Sequence, residues 1–516
     1  MGSIMIIILT CVALLLVTLS WRILNWMWLR PRQLEKYLRS QGFSGNPYRL
    51  LFGDMKEYSK MSKEAMSTPI TLSDDFANRV QPFTRQIINT HGKASFVWFG
   101  PVPCINIMDP QMIKEVLMKY EEFQKPHTNP LTKILVRGLV AYEGEKWAKH
   151  RKIINPAFHM EKLKGLLGEF QVSCNEMINK WEEMMSPDGT CELDVWPHLD
   201  SLSGDIISRG AFGSNYEEGK KIFKLQREQS AMTIKLLQQV YIPGMRFWPT
   251  KTNKRMKEIY REMRVLMDSL ITKRENQMAM GEDSKDDLLG ILLESSLREI
   301  QENGNKKNAG LTIEEVVEEC KLFYLAGRDT SAVLLLWFMV LLGKHLDWQA
   351  RAREEVLSIF GQDKPDYSGL NNLKVMPMII NEVLRLYPPV ILMYRMVHKP
   401  IKVGNIVLPA GVQISIPTMM VQHDTEIWGE DANEFNPQRF AAGIAAATKG
   451  QVCYTPFGWG PRICVGQNFA MLEVKMALSM ILQRYSFEIS PSYSHAPFLA
   501  PSLQPQHGAP IILRKL

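Results

Sequence analysis

Three apolar patterns organise this chain. The first, Ile4 to Trp21, is an unbroken apolar run without a charge, nearly extended by Ile23 to Leu29. It is about long enough to cross a bilayer as a helix. Arg22, Arg30, Arg32 and Lys36 follow it and no positive residue precedes it. The positive-inside rule then sets the N-terminus in the lumen and the rest of the chain in the cytosol. A cleaved signal peptide would need a basic leader and a small-residue cleavage site, and neither is present. The expected organisation is an anchor over 1–29, a linker over 30–53 and one catalytic domain over 54–516.

The second pattern starts at Leu311 and stays apolar for some thirty residues, too long for a surface helix and suited to the centre of a large helical fold. Thr312 and Glu315 stand at capping-box spacing at its start. The third begins at Phe469 and continues through Leu472, Val474, Met476 and Leu478, directly behind a glycine-rich loop. Strand-like pieces are few: Ser95–Phe99, Ile401–Leu408 and Gln413–Ile416. The fold class is therefore mainly α with small β-sheets. Met280–Asp287 and Gln301–Gly310 read as exposed loops.

Composition narrows the picture. Hydrophobic residues make up 46% of the 516, enough for a large core. The net charge of +7 is mild and spread along the chain, which argues for no nucleic-acid partner. The seven cysteines are scattered, odd in number and without CxxC pairs, and read as reduced thiols rather than a disulfide framework.

The candidate chemistry lies in Pro456-Phe457-Gly458-Trp459-Gly460-Pro461-Arg462-Ile463-Cys464-Val465-Gly466. Glycines let backbone pass close to something large and flat. Cys464 falls at the N-terminus of the following helix, where a thiolate is favoured. A lone thiolate at the end of a loop is how a protein holds haem iron that splits dioxygen. The bland alternative is a buried free cysteine beside a turn. In the long apolar run, Ala326-Gly327-Arg328-Asp329-Thr330-Ser331 places a glycine, charges and hydroxyls where burial is costly. One account is a local helix opening in which Thr330 and Asp329 relay protons. In the other, Asp329 faces solvent and Thr330 bonds back to the preceding turn. Trp147 and Arg151 share one face of a helix expected over Glu143 to Asn155. Glu382 and Arg385 sit three apart between apolar flanks, and such a buried pair must be fully partnered.

Phe457, Gly458, Gly460, Arg462, Cys464 and Gly466 at these offsets resemble the haem-binding loop of the cytochrome P450 family. Ala326–Thr330 resembles its oxygen-activating motif, Glu382/Arg385 with Phe435-Asn436-Pro437-Gln438-Arg439-Phe440 its structural pair and partner segment, and Trp147/Arg151 its haem-carboxylate pair. Gly42-Phe43-x-Gly45-Asn46-Pro47-Tyr48-Arg49, the stretch Glu318–Tyr324 and the ending Leu503–Gly508 resemble its secologanin-synthase-like group of plants, whose members oxidise iridoids, triterpenoids and some diterpenoid hormones.

The resemblance implies the P450 fold around haem b (iron protoporphyrin IX), a single membrane helix and an endoplasmic-reticulum location. Cys464 would be the axial iron ligand, with Arg462, Trp147, Arg151 and Arg395 on the haem carboxylates and Phe457, Gly458 and Gly466 shaping the loop. Glu382, Arg385 and Arg439 would lock the core behind that loop. Electrons would come from NADPH through a P450 reductase docked on the side bearing Lys146, Lys149 and Lys152, and the family admits cytochrome b5 as a further partner. The pocket would draw on Leu131, Leu322, Ala326, Val390, Ile391 and Leu499, with Arg137 or His127 as candidates for a substrate carboxylate. The loop Tyr241–Trp248 either dips into the bilayer or packs in the core. Competing readings are a reductase-independent haem-thiolate isomerase or lyase, and a non-catalytic haem carrier.

Overall fold

The computed structural model describes residues 2–72, 75–126, 134–135, 137–214, 216–280, 287–302 and 310–516. Its first helix, Gly2–Leu24, buries none of its residues, as expected of a segment whose solvent is lipid. At about 1.5 Å per residue it reaches some 35 Å, enough for a hydrocarbon core of about 30 Å.

The helix does not end there. A π-helical turn, Asn25–Leu29, carries it into Arg30–Ser40. Pro31 explains the irregularity: it has no N–H to offer the carbonyl of Met27 one turn back. Tyr48 fills the gap, its hydroxyl donating to Met27 O at 2.6 Å. The stretch 30–53, expected to be a linker, is thereby packed onto the body. Leu38 is fully buried, and Ser44–Gly45 pairs in parallel with Ser95–Phe99.

That pairing opens a six-stranded sheet, in the order Ser44–Gly45, Ser95–Phe99, Val102–Asn106, Gln413–Ile416, Met393–Val397, Phe123–Gln124. Among the described residues, three smaller sheets accompany it. The stretch Ile401–Leu408 is not one strand but a tight hairpin, Ile401–Val403 against Ile406–Leu408, turning at Gly404 with φ 54°.

The thirty-residue apolar run forms the helix Ile313–Lys344, and both halves of the Thr312/Glu315 capping box are made. Residues 331 to 343 of this central helix are all buried. The helix Trp196–Phe212 crosses it closely, and Gly327 is the point of approach. A Cβ there would lie 2.7 Å from Ile207 Cδ1. The glycine is thus explained by packing. No opening of the helix occurs: it remains α-helical throughout, contrary to the expected local break.

All seven cysteines are free. Phe247 is 71% and Trp248 50% exposed, so the Tyr241–Trp248 loop presents its aromatics outward and does not pack in the core. The expected loops at 280–287 and 301–310 lie mostly outside the described residues.

Candidate active site

The cysteine loop ends where the helix Gln467–Arg484 begins. Gly458 and Gly460 take left-handed φ values of 73° and 72°, and Cys464 N donates to Phe457 O at 2.8 Å, closing the loop beneath the thiol. Nothing in the protein itself demands a glycine at 466. A Cβ there would make ordinary contacts, 3.7 Å to Phe158 and 4.0 Å to Cys464 Sγ.

Cys464 keeps open surface, yet burial pushes its thiol up, against the pull of the Gly466 N–H and of Arg151. The expected thiolate at a helix end is therefore not favoured by the protein alone. Asp329 shows the same combination: it is only half-buried, but desolvation pushes its carboxyl up to about 6. Accessible surface together with desolvation marks an enclosed cavity. Ala326 and Val390, 47% exposed, open surface of the same kind on core elements.

Helix Gly144–Ile154 braces the loop from one side. Arg151 donates to Ile463 O at 2.7 Å, and the Arg462 guanidinium lies 4.2 Å over the Trp147 ring. Arg462 also donates to Tyr142 O at 2.8 Å and pairs with Glu143. Trp147, Arg151 and Arg462 are thus brought together, meeting each other's loop and helix.

A further cation stands with them that the sequence did not single out. Phe123 pairs with Val397 and Gln124 with Met396, so the antiparallel register sets Lys125 opposite Arg395. Like charges facing across strands are destabilising. Burial first, then Arg395 and Arg462, push the Lys125 ammonium down to about 7, and burial brings Arg395 to about 10. Glu143 is the carboxylate that acts on Lys125, Arg395 and Arg462 alike. Three cations around one carboxylate leave a positive excess that suits a ligand with two carboxylates, which is what haem b carries. The residues present fit that group.

On the central helix the polar stretch divides. Arg328 turns away into a two-pronged bond with Asp200, at 2.7 and 2.8 Å. Asp329 accepts from the side-chain amide of Gln504 at 2.7 Å, so it does not simply face solvent. Thr330 donates to Ala326 O at 2.8 Å, the local back-bond that was one of its two readings.

Behind the loop, Glu382 and Arg385 are fully buried and joined by two bonds, 2.7 and 2.8 Å. Arg385 also donates to Gln422 O and Ala432 O, while the Gln422 side chain accepts from Thr455 N, one residue before the cysteine loop. Arg439 approaches Glu382 only to 3.8 Å. Its close partner is Asp431, at 2.7 Å.

Among the expected pocket residues, Leu322 and Leu499 are partly buried against the main core. Ile391 is 1% exposed and faces the core instead of adding cavity surface. Leu131 and His127 lie outside the described residues. Arg137 places its guanidinium 5.7 Å over the Tyr260 ring. Lys146 and Lys152 are paired with Glu315 and Glu299 rather than free in solvent.

A free cysteine with open but desolvated surface, a cluster of cations beside its loop, and an acid and a hydroxyl on a core helix together fit a haem-thiolate oxidoreductase. The cytochrome P450 family profile matches residues 71–511, and the chain belongs to that family. It is 58% identical to cytochrome P450 CYP72A219 of Panax ginseng over 507 residues, 98% of each chain. It is 55% identical to the 11-oxo-beta-amyrin 30-oxidase of Glycyrrhiza uralensis, over 95% of this chain and 94% of that one. The solved structure of retinoic acid-bound cyanobacterial CYP120A1 superposes with a TM-score of 0.73 at 22% identity, covering 87% of this chain and all of the other, which establishes the shared fold. The protein is a plant-type P450 monooxygenase with an N-terminal apolar helix fitted to a membrane.

Proposed function

We propose that this enzyme inserts one atom of dioxygen into an apolar plant isoprenoid, a triterpenoid in the first instance, with iridoids and diterpenoids as the neighbouring classes. Electrons come from NADPH through a P450 reductase. The anchor sits in the endoplasmic-reticulum membrane with the catalytic body on the cytosolic side, since the basic residues Arg22, Arg30, Arg32 and Lys36 follow the apolar run. The observation that carries the reaction type is the placing of Asp329 and Thr330 on the central helix of a protein in which Cys464, on the glycine-rich loop, keeps open but desolvated surface. The substrate class is supported by the relative named for oxidising 11-oxo-beta-amyrin, a terpenoid.

Cys464 would hold the iron of haem b, and Lys125, Arg395, Arg462, Trp147 and Arg151 would hold its carboxylates; when bound, the group would supply the oxygen-activating chemistry. The remaining work belongs to the chain. Asp329, with its carboxyl near 6, both takes and gives a proton close to neutral pH. Gln504 fixes its orientation. Thr330 passes a proton toward the cavity by turning its hydroxyl out of the bond to Ala326 O. Leu322, Ala326, Val390 and Leu499 exclude water and hold an apolar skeleton by shape.

The test uses microsomes containing the protein and a plant reductase, supplied with NADPH and a panel of 11-oxo-beta-amyrin, other triterpenoids, iridoids and gibberellin-type acids. The expected result is one added oxygen on a triterpenoid, absent with Cys464→Ala. Product without reductase would favour an isomerase or lyase. No product from haem-loaded protein with an active reductase would defeat the substrate assignment.

A further inference from the structure

We propose that Glu319 is a positioning residue for the pocket: it holds the turn Gly138–Tyr142 in place beside the cofactor cavity, and so sets the cavity's shape. The inference rests on the assignment of the Cys464 side as the haem cavity, and not on any particular substrate.

The turn is pinned from two sides. On the central helix, Glu319 is fully buried and its Oε2 accepts from Leu139 N at 3.0 Å. Its Oε1 meets Nδ1 of the equally buried His150 at 2.6 Å. His150 lies on the same helix as Trp147 and Arg151, about one turn after the first and next in sequence to the second. Gly138, at φ 71°, is where the turn comes down on the carboxylate. A Cβ there would stand 2.6 Å from Glu319 Oε2, so only glycine permits the contact. On the opposite side the turn reaches the cation cluster. Lys125 Nζ bonds Val140 O, Arg462 donates to Tyr142 O, and Glu143 follows at once.

A second strap runs alongside. Glu318 accepts from Lys321 Nζ at 3.0 Å and from the Tyr260 hydroxyl at 3.0 Å, and Lys321 reaches toward Ile134 O at 3.5 Å. Of two successive carboxylates on one helix, Glu319 thus holds Leu139 directly and Glu318 reaches Ile134 through Lys321. Glu315, one turn earlier, lies 3.5 Å from His150 Nε2 and is bonded to Lys146 at 2.8 Å.

Apolar contacts would seal such a turn without the desolvation cost of buried charge, which runs to several kcal/mol per ion. What a network of short bonds adds is a single permitted position. The turn so fixed touches the residues that would hold the cofactor's carboxylates, and Glu319 lies two helical turns from Ala326. Movement of the turn would shift Lys125 and Arg462, and through them the seating of the cofactor and the cavity beside it.

The test compares full-length, haem-loaded wild type with Glu319→Ala, Glu319→Gln and Gly138→Ala. Gly138→Ala displaces the turn while leaving every buried charge intact, so it answers even if Glu319→Ala fails to fold. Amide hydrogen exchange at Leu139 should quicken at least tenfold in Glu319→Ala and Gly138→Ala, with the amides of Leu334–Leu342 unchanged. Glu319→Gln keeps an acceptor for Leu139 N and should stay within threefold of wild type. In parallel, the ratio of dissociation constants for clotrimazole and imidazole, a bulky and a minimal probe of the same cavity, should shift about tenfold in the first two variants. Unchanged Leu139 exchange, exchange raised equally along the central helix, or a loosened turn with an unchanged ratio would each overturn the proposal.

Discussion

Gln504, on the short strand Leu503–Pro505 near the C-terminus, donates its side-chain amide to Asp329 of the central helix at 2.7 Å. The strand is itself tied to that helix, since Trp337 Nε1 donates to Leu503 O at 2.7 Å. The acid of the oxygen-activating stretch is thus held by a distant segment whose sequence is part of the group resemblance. Removing the donor in Gln504→Leu leaves Asp329 desolvated with less to stabilise its charge. Its carboxyl, now near 6, should rise further, though Ser502 still lowers it, and the acid limb of product formation per NADPH should move to higher pH. A pH series of product and peroxide measures this.

Thr330→Ala removes a hydroxyl whose bond is to the preceding turn of its own helix. Such bonds add little to a helix, so thermal stability should stay within about 0.5 kcal/mol of wild type. Product per NADPH should fall about tenfold or more while peroxide rises. Full coupling in this variant would remove Thr330 from the proton path.

Lys125→Met tests the cation cluster without reference to turnover. The substitution relieves repulsion from Arg395 and Arg462 but gives up the bond to Val140 O, so the haem-free protein should stay within about 1 kcal/mol of wild type. Haem should nevertheless leave faster, by about tenfold, because a hydrogen bond to a charged group contributes roughly 1.5–3 kcal/mol. Transfer of haem to apomyoglobin provides the rate.

Glu473, on the helix behind Cys464, is fully buried, and burial pushes its carboxyl up to about 8 against the hydrogen bonds of Ser203 and Ser331. From its ordinary value near 4.5 up to about 8, the unfolded chain sheds a proton that the folded chain keeps. This group therefore favours the fold below about 4.5, and its contribution is lost as pH rises through 8. Glu473→Gln should flatten the decline in stability over that window, where wild type loses at most about 1.4 kcal/mol per pH unit from this residue. Denaturant unfolding at several pH values checks it.

Much of this was legible because it is local. The capping box at Thr312, the thirty-residue helix and the Gly144–Ile154 helix follow from neighbours three or four residues apart. The cysteine loop and the buried Glu382/Arg385 pair could be read for the same reason. Lys125 could not, since its meaning depends on a strand register that brings it against Arg395 from far along the chain. Gly327 was legible as an oddity but not in its cause, which is Ile207 on another helix. Charge in a buried helix reads from sequence as a sign of chemistry. Arg328 shows that part of it is structural, spent on Asp200.

The bond from Tyr48 to Met27 carries a consequence for orientation. Because helix runs without a break from Gly2 to Ser40, the lipid-embedded part and the catalytic body share one screw axis. A residue inserted before Asn25 would turn the body by about 100° and raise it by about 1.5 Å. Three or four inserted residues would nearly restore its bearing. The direction in which the exposed Phe247 and Trp248 point about that axis is therefore a phase, written into the length of the N-terminal helix rather than into the surface of the body.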